Sequence, residues 1–437
     1  MRKTLRLLWS IVLLLGSVSY LSSSTETTFH NFTGGTDGSD PLADLLYNPA
    51  SGMVYGTTKT GGGSPNCTKG CGTVFSLLQT GSGYRVLYRF AGGTNDGANP
   101  EAGLTIDANG NLYGTTYSGG THNLGTIFKL TPIGGGQFSE SILHSFSGPD
   151  GSHPLAKLAL GASRILYGTT FGGGAHGLGT VFEFLPSGGE SVIFSFTGPT
   201  GSHPRAGVVL DSAGDLWGTT SLGGDANLGT IFRLTFNGNS WSETPHSFNG
   251  ADGANPYAAL TLDAMGDVFG TAKAGGPPCT FTAAGCGVVF EFQSGTGFST
   301  IYAFSGGADG AAPIADVTLV VDSANDQYLY GTASQAGVIG GTCPATGCGT
   351  LFELCGSGSS CQQGSQTWSE FTLFPFRGRN GGRTPAAGVL VFSPVGPESD
   401  PWDFPPTGGH GKCTSGCMAP VSSGGTASGG TIDGFTN

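Results

Sequence analysis

The chain has 437 residues, a formal net charge of -12, only 11% charged residues and 81 glycines. A disordered polyelectrolyte is excluded, because hydrophobic residues make up 37% and disorder couples low hydrophobicity to high charge. A helical core is disfavoured, since glycine costs about 1 kcal/mol against alanine inside a helix, and nucleic acid or an anionic membrane surface is a poor partner, because no Lys/Arg-rich run offsets the acidic balance.

The N-terminus reads as a secretory signal peptide over 1–24. Arg2, Lys3 and Arg6 form a basic start, 7–16 an apolar core, and small residues follow. This order is that of an export signal, and the apolar run is shorter than the roughly 20 residues of a membrane-spanning helix. The expected product is secreted, extracellular or held in the cell envelope, with no membrane span in the mature chain.

Downstream, three phrases recur. The first is aromatic-Gly-Thr, as in Tyr55-Gly56-Thr57, Tyr113-Gly114-Thr115 and Tyr167-Gly168-Thr169, continuing at Trp217, Phe269 and Tyr330. The second opens on Gly and ends in Val/Ile/Leu-Phe, closing at Phe75, Phe128, Phe182, Phe232, Phe290 and Phe352. The third is Phe-x-Gly followed by a turn ending in Pro41, Pro100, Pro154, Pro204, Pro256, Pro313 and Pro385. The third phrase has seven copies and the first two have six clear ones.

Each repeat parses into four strands. In the second copy they are expected at 102–106, 112–117, 125–130 and 141–146, with an Asp-Ala-Asn-Gly hairpin turn at 107–110. Asp or Asn followed by Gly tolerates the positive φ of such turns. Four short strands in about 50 residues are the signature of a propeller blade. The fold class is therefore all-β, a β-propeller of seven blades of four antiparallel strands, occupying 25–421 as one domain. The recurring aromatics are expected to pack between blades rather than to stack on a ligand.

The last blade is expected to be degenerate, with an insertion at 393–406 and a third-type segment near 418–421. The N-terminal segment 27–32 resembles a fourth strand and is expected to close the ring, which removes exposed edges. The Ser/Gly-rich segment 422–437 is expected to be a mobile tail.

Ten cysteines fall into five close pairs: Cys67/Cys71, Cys279/Cys286, Cys343/Cys348, Cys355/Cys361 and Cys413/Cys417. Export favours disulfides. Zinc is the rival, but the spacings are irregular for a thiolate site.

Together, Leu-Tyr-Gly-Thr-Thr, Gly-Thr-Ile/Val-Phe and Phe-x-Gly-x-x-Asp-Gly-x-x-Pro resemble the GloVer tandem-repeat proteins of bacterial envelopes. The resemblance covers nearly the whole mature chain. It implies an exported repeat domain of undefined biochemical role and brings no catalytic residues. Many such proteins carry a C-terminal sorting anchor. Here 429–437 shows neither apolar span nor basic tail, so release rather than surface retention is expected.

No recognised catalytic motif is present: no Gly-x-Ser-x-Gly elbow, P-loop or His-Glu-x-x-His. His153 and His203 share a turn position that Ala312 also occupies, so a turn role is expected for them. Asp37, Asp96, Asp150, Asp252 and Asp309 recur in the Asp-Gly turns, with Thr200 and Asn380 in the other copies. One reading is a circle of weak calcium sites. The favoured reading is an Asx-type turn without metal, because each turn supplies one carboxylate. The expected function is non-enzymatic binding of glycan or extracellular protein through rim loops, by a monomer without a resident cofactor. The alternatives are a purely structural repeat protein, or a secreted hydrolase or lyase acting on polysaccharide, whose mark would be charged residues of different blades meeting at the channel mouth.

Overall fold

Each clear repeat folds into an antiparallel sheet whose strands follow one another in chain order. The computed structural model describes residues 25–376, apart from 187–188, 281, 294–296, 322–325, 338–342, 344–345 and 357–367, and then 383–385, 390–391, 417–423 and 431–436. In blade 2, Thr105–Ile106, Leu112–Thr116, Thr126–Gly134 and Gln137–Ser145 pair successively. The same order runs from Leu46–Asn48 to Arg85–Arg89 in blade 1, and from Ala159–Leu160 to Gly189–Ser195 in blade 3. It continues from Val209–Leu210 to Trp241–Ser247 in blade 4, from Thr261–Leu262 to Gly297–Ala303 in blade 5, and from Thr318–Val321 to Ser369–Pro375 in blade 6. Among the described residues the only helical element is a 3-10 turn at Ala162–Arg164. No helix there is long and apolar enough to cross a membrane.

Packing accounts for the repeated phrases. The glycine of aromatic-Gly-Thr pairs across the sheet with the phenylalanine of the second phrase, as Gly56 with Phe75, Gly168 with Phe182 and Gly270 with Phe290. The ring lies over the bare Cα. The next threonine reaches into the following blade: Thr57 Oγ1 donates to Ala102 O at 3.0 Å, Thr169 Oγ1 to Ala206 O at 2.8 Å and Thr271 Oγ1 to Ala315 O at 2.9 Å. The phenylalanine ending each fourth strand also enters the next blade, with Phe90 5.0 Å from Phe128 and Phe196 5.2 Å from Phe232 between ring centroids. These rings are fully buried. The aromatic phrases are core packing between blades, as expected.

The proline turn is the other half of the joint. Asn99, His153, His203, Asn255 and Ala312, each preceding the proline, have φ between 53° and 58°. That left-handed bend sends His153 N–H to Leu124 O at 2.7 Å in the preceding blade, and the others bond likewise.

The count of seven four-stranded blades is corrected to six, with a closing sheet of five short strands in the seventh place. There Thr25–Asn31 pairs with Thr431–Thr436, which pairs with Cys417–Ser423, and Arg383–Pro385 and Leu390–Val391 pair with the latter. The N-terminal strand does close the ring, but its partner comes from the segment expected to be a mobile tail. The physical reason is local. Gly430-Thr431-Ile432 repeats the start of the second phrase, and Ile432 is buried with Phe32, Leu45, Val54 and Phe75. In blade 2 the equivalent Ile127 is buried with Phe146, Leu158 and Phe182.

Disulfides join Cys67 to Cys71, Cys279 to Cys286 and Cys343 to Cys348. Each staples the loop between second and third strands, in blades 1, 5 and 6. Cys355 is disulfide-bonded as well. Cys361 and Cys413 lie outside the described residues, so the pairings of Cys355 with Cys361 and of Cys413 with Cys417 are not described. The expected signal peptide, 1–24, also lies outside them.

Candidate functional site

After each proline the chain reads x-Ala-x-Leu or x-Ala-x-Val. The alanine and the aliphatic residue are buried in the blade, as Ala156 and Leu158 are. Strand side chains alternate, so positions one and three after the proline face the central channel. They line a cavity of 880 Å³. Position one carries Leu42, Glu101, Leu155, Arg205, Tyr257 and Ile314, and position three carries Asp44, Gly103, Lys157, Gly207, Ala259 and Asp316. Amid constant neighbours these two positions vary freely, and among the twelve residues only Glu101, Arg205, Asp44, Lys157 and Asp316 are charged.

Asp44, Lys157 and Asp316 come from different blades and converge in the channel wall. Asp316 lies close enough to Asp44 to feel its charge. Burial first, then the Asp44 charge, raise the Asp316 carboxyl well above its ordinary range, and the Lys157 ammonium opposes them. By surface area Asp316 is partly buried. Gly103 lets the Asp44 backbone come close: a Cβ there would stand 3.2 Å from Asp44 O and in ordinary contact, at 3.6 Å, with Lys157 Cδ. An aspartate raised in this way, as Asp316 is, keeps its proton to higher pH than an ordinary carboxyl does.

Arg205 and Tyr257, which line the same cavity, gather a group of aromatic and basic side chains. Arg205 is exposed, and its guanidinium carbon stands 4.5 Å from the Tyr257 ring and 5.1 Å from the Phe171 ring. Lys273 Nζ stands 4.8 Å from the same tyrosine. Lys59 is paired with Glu101 at 3.0 Å, but among the described residues Arg205 and Lys273 make no ion pair. Tyr117 stacks on His153 at 4.5 Å, and Phe171 packs on His203 at 4.8 Å. Burial, then the Arg205 charge, hold His203 below its ordinary pKa, so it is neutral at pH 7.

The Asp-Gly turns lie away from the channel, and each carboxylate is engaged by its own turn. Asp37 accepts from Thr33 N at 2.9 Å, Asp150 from Ser147 N at 2.8 Å and Asp252 from Asn249 N at 2.9 Å. Asp96 accepts from Ala91 N at 2.6 Å and Gly97 N at 2.7 Å, and Asp309 from Ser305 N at 2.6 Å. Where Thr200 replaces the aspartate, its hydroxyl accepts the corresponding Thr197 N–H at 3.0 Å. This is capped-turn geometry, and a hydroxyl performs it as well as a carboxylate.

Sequence reasoning missed Asp44, Lys157, Arg205, Tyr257 and Asp316. The available signal was variation at two alternating positions inside an otherwise fixed phrase.

The model of a protein family described as the Gloeobacter/Verrucomicrobia repeat matches residues 15–164 and 135–341. No curated protein matches the chain. Among solved structures, a lectin from Burkholderia pseudomallei is similar with a TM-score of 0.51 and 11% identity, covering 89% of this chain and 97% of its own. A Bacteroides uniformis protein assigned as a 6-phosphogluconolactonase is similar with a TM-score of 0.50 and 15% identity, covering 87% of this chain and 94% of its own. At such identities the likeness is one of fold.

Proposed function

The chain belongs to the Gloeobacter/Verrucomicrobia repeat family, and on that footing we propose that it is an exported propeller that binds acidic carbohydrate at the mouth of its central channel. One observation carries this reading: Arg205 is held between Phe171 and Tyr257 with no acidic partner among the described residues. The two rings fix the guanidinium plane and leave its N–H edge for a carboxylate or sulfate. Lys273 adds a second cation at the same tyrosine. The overall charge of -12 does not forbid an anionic ligand, because charges more than about 8 Å away are screened at physiological salt. Export is supported by the disulfides, which persist in oxidising compartments.

Titration calorimetry on the oxidised chain tests the reading, with uronic-acid oligosaccharides and their neutral counterparts. Binding of the acidic series alone, weakened about 10- to 100-fold by Arg205→Ala, is expected, since a charge-assisted pair contributes about 1.5–3 kcal/mol. Arg205→Lys should restore little, because lysine lacks the planar fork. Equal binding by wild type and Arg205→Ala would sink the proposal.

A second reading is favoured by Asp44 and Asp316 lining one cavity with Lys157. Such a pair suits general acid–base cleavage of a bound polysaccharide. Asp316→Asn should then abolish product release while leaving binding intact. Absence of product from the wild-type chain with every bound polysaccharide removes this reading.

A further inference from the structure

The junction between blades 2 and 3 differs from its sisters in one respect. At each junction three positions meet: the residue two before the last phenylalanine of one blade, the turn residue after it, and a residue near the start of the next blade's outer strand. The sets are His30, Asp37 and Tyr84; Tyr88, Asp96 and Glu140; Phe194, Thr200 and Glu243; His246, Asp252 and Phe298; and Tyr302, Asp309 and Glu370. Only between blades 2 and 3, among these described sets, do a histidine, an aspartate and a glutamate coincide, as His144, Asp150 and Glu190.

Their donor atoms lie within 4.8 Å of one another. His144 Nε2 is 2.9 Å from Asp150 Oδ2 and 3.9 Å from Glu190 Oε2. Asp150 is oriented from outside the cluster, since its Oδ1 accepts from Ser147 N at 2.8 Å and Ser147 Oγ at 2.9 Å, leaving Oδ2 for the histidine side. The His144 ring is fixed edge-on against buried Phe146 at 4.9 Å. Glu190 carries a further sign, which its counterparts Glu140 and Glu243 share without a histidine and an aspartate beside them. Its side chain is only 5% exposed, and its buried Oε1 has no hydrogen-bond partner. A carboxylate oxygen in that state is costly unless something compensates it.

We propose that His144, Asp150 and Glu190 form a zinc site that clamps blade 2 to blade 3. Zinc takes imidazole nitrogen and carboxylate oxygen at about 2.0–2.2 Å, which sets ligand atoms roughly 3.3 Å apart around a tetrahedral ion. The two histidine distances, 2.9 and 3.9 Å, bracket that value, so small side-chain movements suffice. An imidazole donor and only two carboxylates suit zinc rather than calcium, which takes six to eight oxygens. The metal's double charge offsets both carboxylates, and Ser147 holds the aspartate as an outer-shell partner. With three protein ligands, water completes the fourth position.

The sister junctions provide substitutions that the fold already accommodates: His144→Phe copies Phe194, Asp150→Thr copies Thr200, and Glu190→Tyr copies Tyr84. The test is zinc titration calorimetry of the oxidised chain, with metal content measured after dialysis. One tight equivalent is expected, weakened at least tenfold by each of the three substitutions and unchanged by His246→Phe, which alters a sister junction lacking the glutamate. Circular dichroism of the zinc-free variants confirms folding, and His144→Gln is the substitute should His144→Phe fail to fold. Cobalt in place of zinc gives the visible spectrum of tetrahedral nitrogen–oxygen ligation. Failure of the wild-type chain to bind zinc, binding that survives Glu190→Tyr and His144→Phe, or a preference for calcium overturns the proposal.

Discussion

Gly168 lies opposite Phe182 across the middle of blade 3, and a Cβ at Gly168 would stand 2.5 Å from Phe182 Cζ and 2.8 Å from Leu158 Cδ2. The phrase Tyr-Gly-Thr is thus half of a two-residue contact whose other half is the phenylalanine of the next strand. Gly168→Ala overfills the space and should destabilise by about 1–3 kcal/mol. Phe182→Leu in the same chain should recover part of that loss. Urea unfolding of the two single variants and the double variant checks the coupling. Additive losses would show that the two residues do not compete for the same volume.

Ala312 occupies a left-handed turn position with φ 53°, where the sister turns with positive φ use Asp, Asn or His. Alanine there costs about 1 kcal/mol, and asparagine less. Ala312→Asn should therefore raise stability by about 0.5–1 kcal/mol, read as a rise in the urea midpoint at unchanged slope.

The disulfides close short loops, with sequence separations of 4, 7 and 5 residues. Loop-closure entropy for rings of that size gives each about 2 kcal/mol. Reduction should lower the melting temperature without loss of blades 2, 3 and 4, whose repeats hold no cysteine. Hydrogen exchange before and after reduction separates the outcomes: faster exchange confined to blades 1, 5 and 6 is expected.

Glu243 has its pKa raised to about 7 by burial alone, and its Oε1 lacks a hydrogen-bond partner. The folded state holds this proton more tightly than the unfolded chain, whose glutamate titrates near 4.5. Its contribution to stability is full below pH 4.5 and is lost as pH rises through about 7. Half-buried His246, its pKa lowered by desolvation, acts in the opposite sense and costs stability on acidification. Glu243→Gln should therefore gain on the wild type at pH 8 relative to pH 5. An identical difference at both pH values would rule out titration of Glu243 as the cause.

How much of this was legible in the sequence depends on what repetition records. Gly168, Phe182, Pro204 and Thr169 recur because every blade needs the same joint, so the phrases revealed sheet order and interior packing. The closing sheet was harder. Thr431 and Ile432 carry the second phrase without its phenylalanine, and surrounding serines and glycines masked that short strand as a tail. The candidate site was least legible, because a binding surface on a symmetric scaffold is made by breaking the repeat. Asp44, Lys157, Arg205, Tyr257 and Asp316 are readable only once the invariant alanines show which neighbouring positions face the channel.

The pairing of Thr25–Asn31 with Thr431–Thr436 carries a consequence for the order of events during biogenesis. The first strand to emerge must wait, unpaired, for nearly the whole chain to be delivered before its partner exists. Such a long-range closure is slow, because the chain entropy is lost before the contact rewards it. Blades can form one by one, but the ring stays open, with the buried faces of its first and last sheets uncovered, until Thr431–Thr436 pairs with Thr25–Asn31. A chain built this way is most vulnerable to proteolysis and mispairing before that pairing forms, and Thr431–Thr436 acts as the latch.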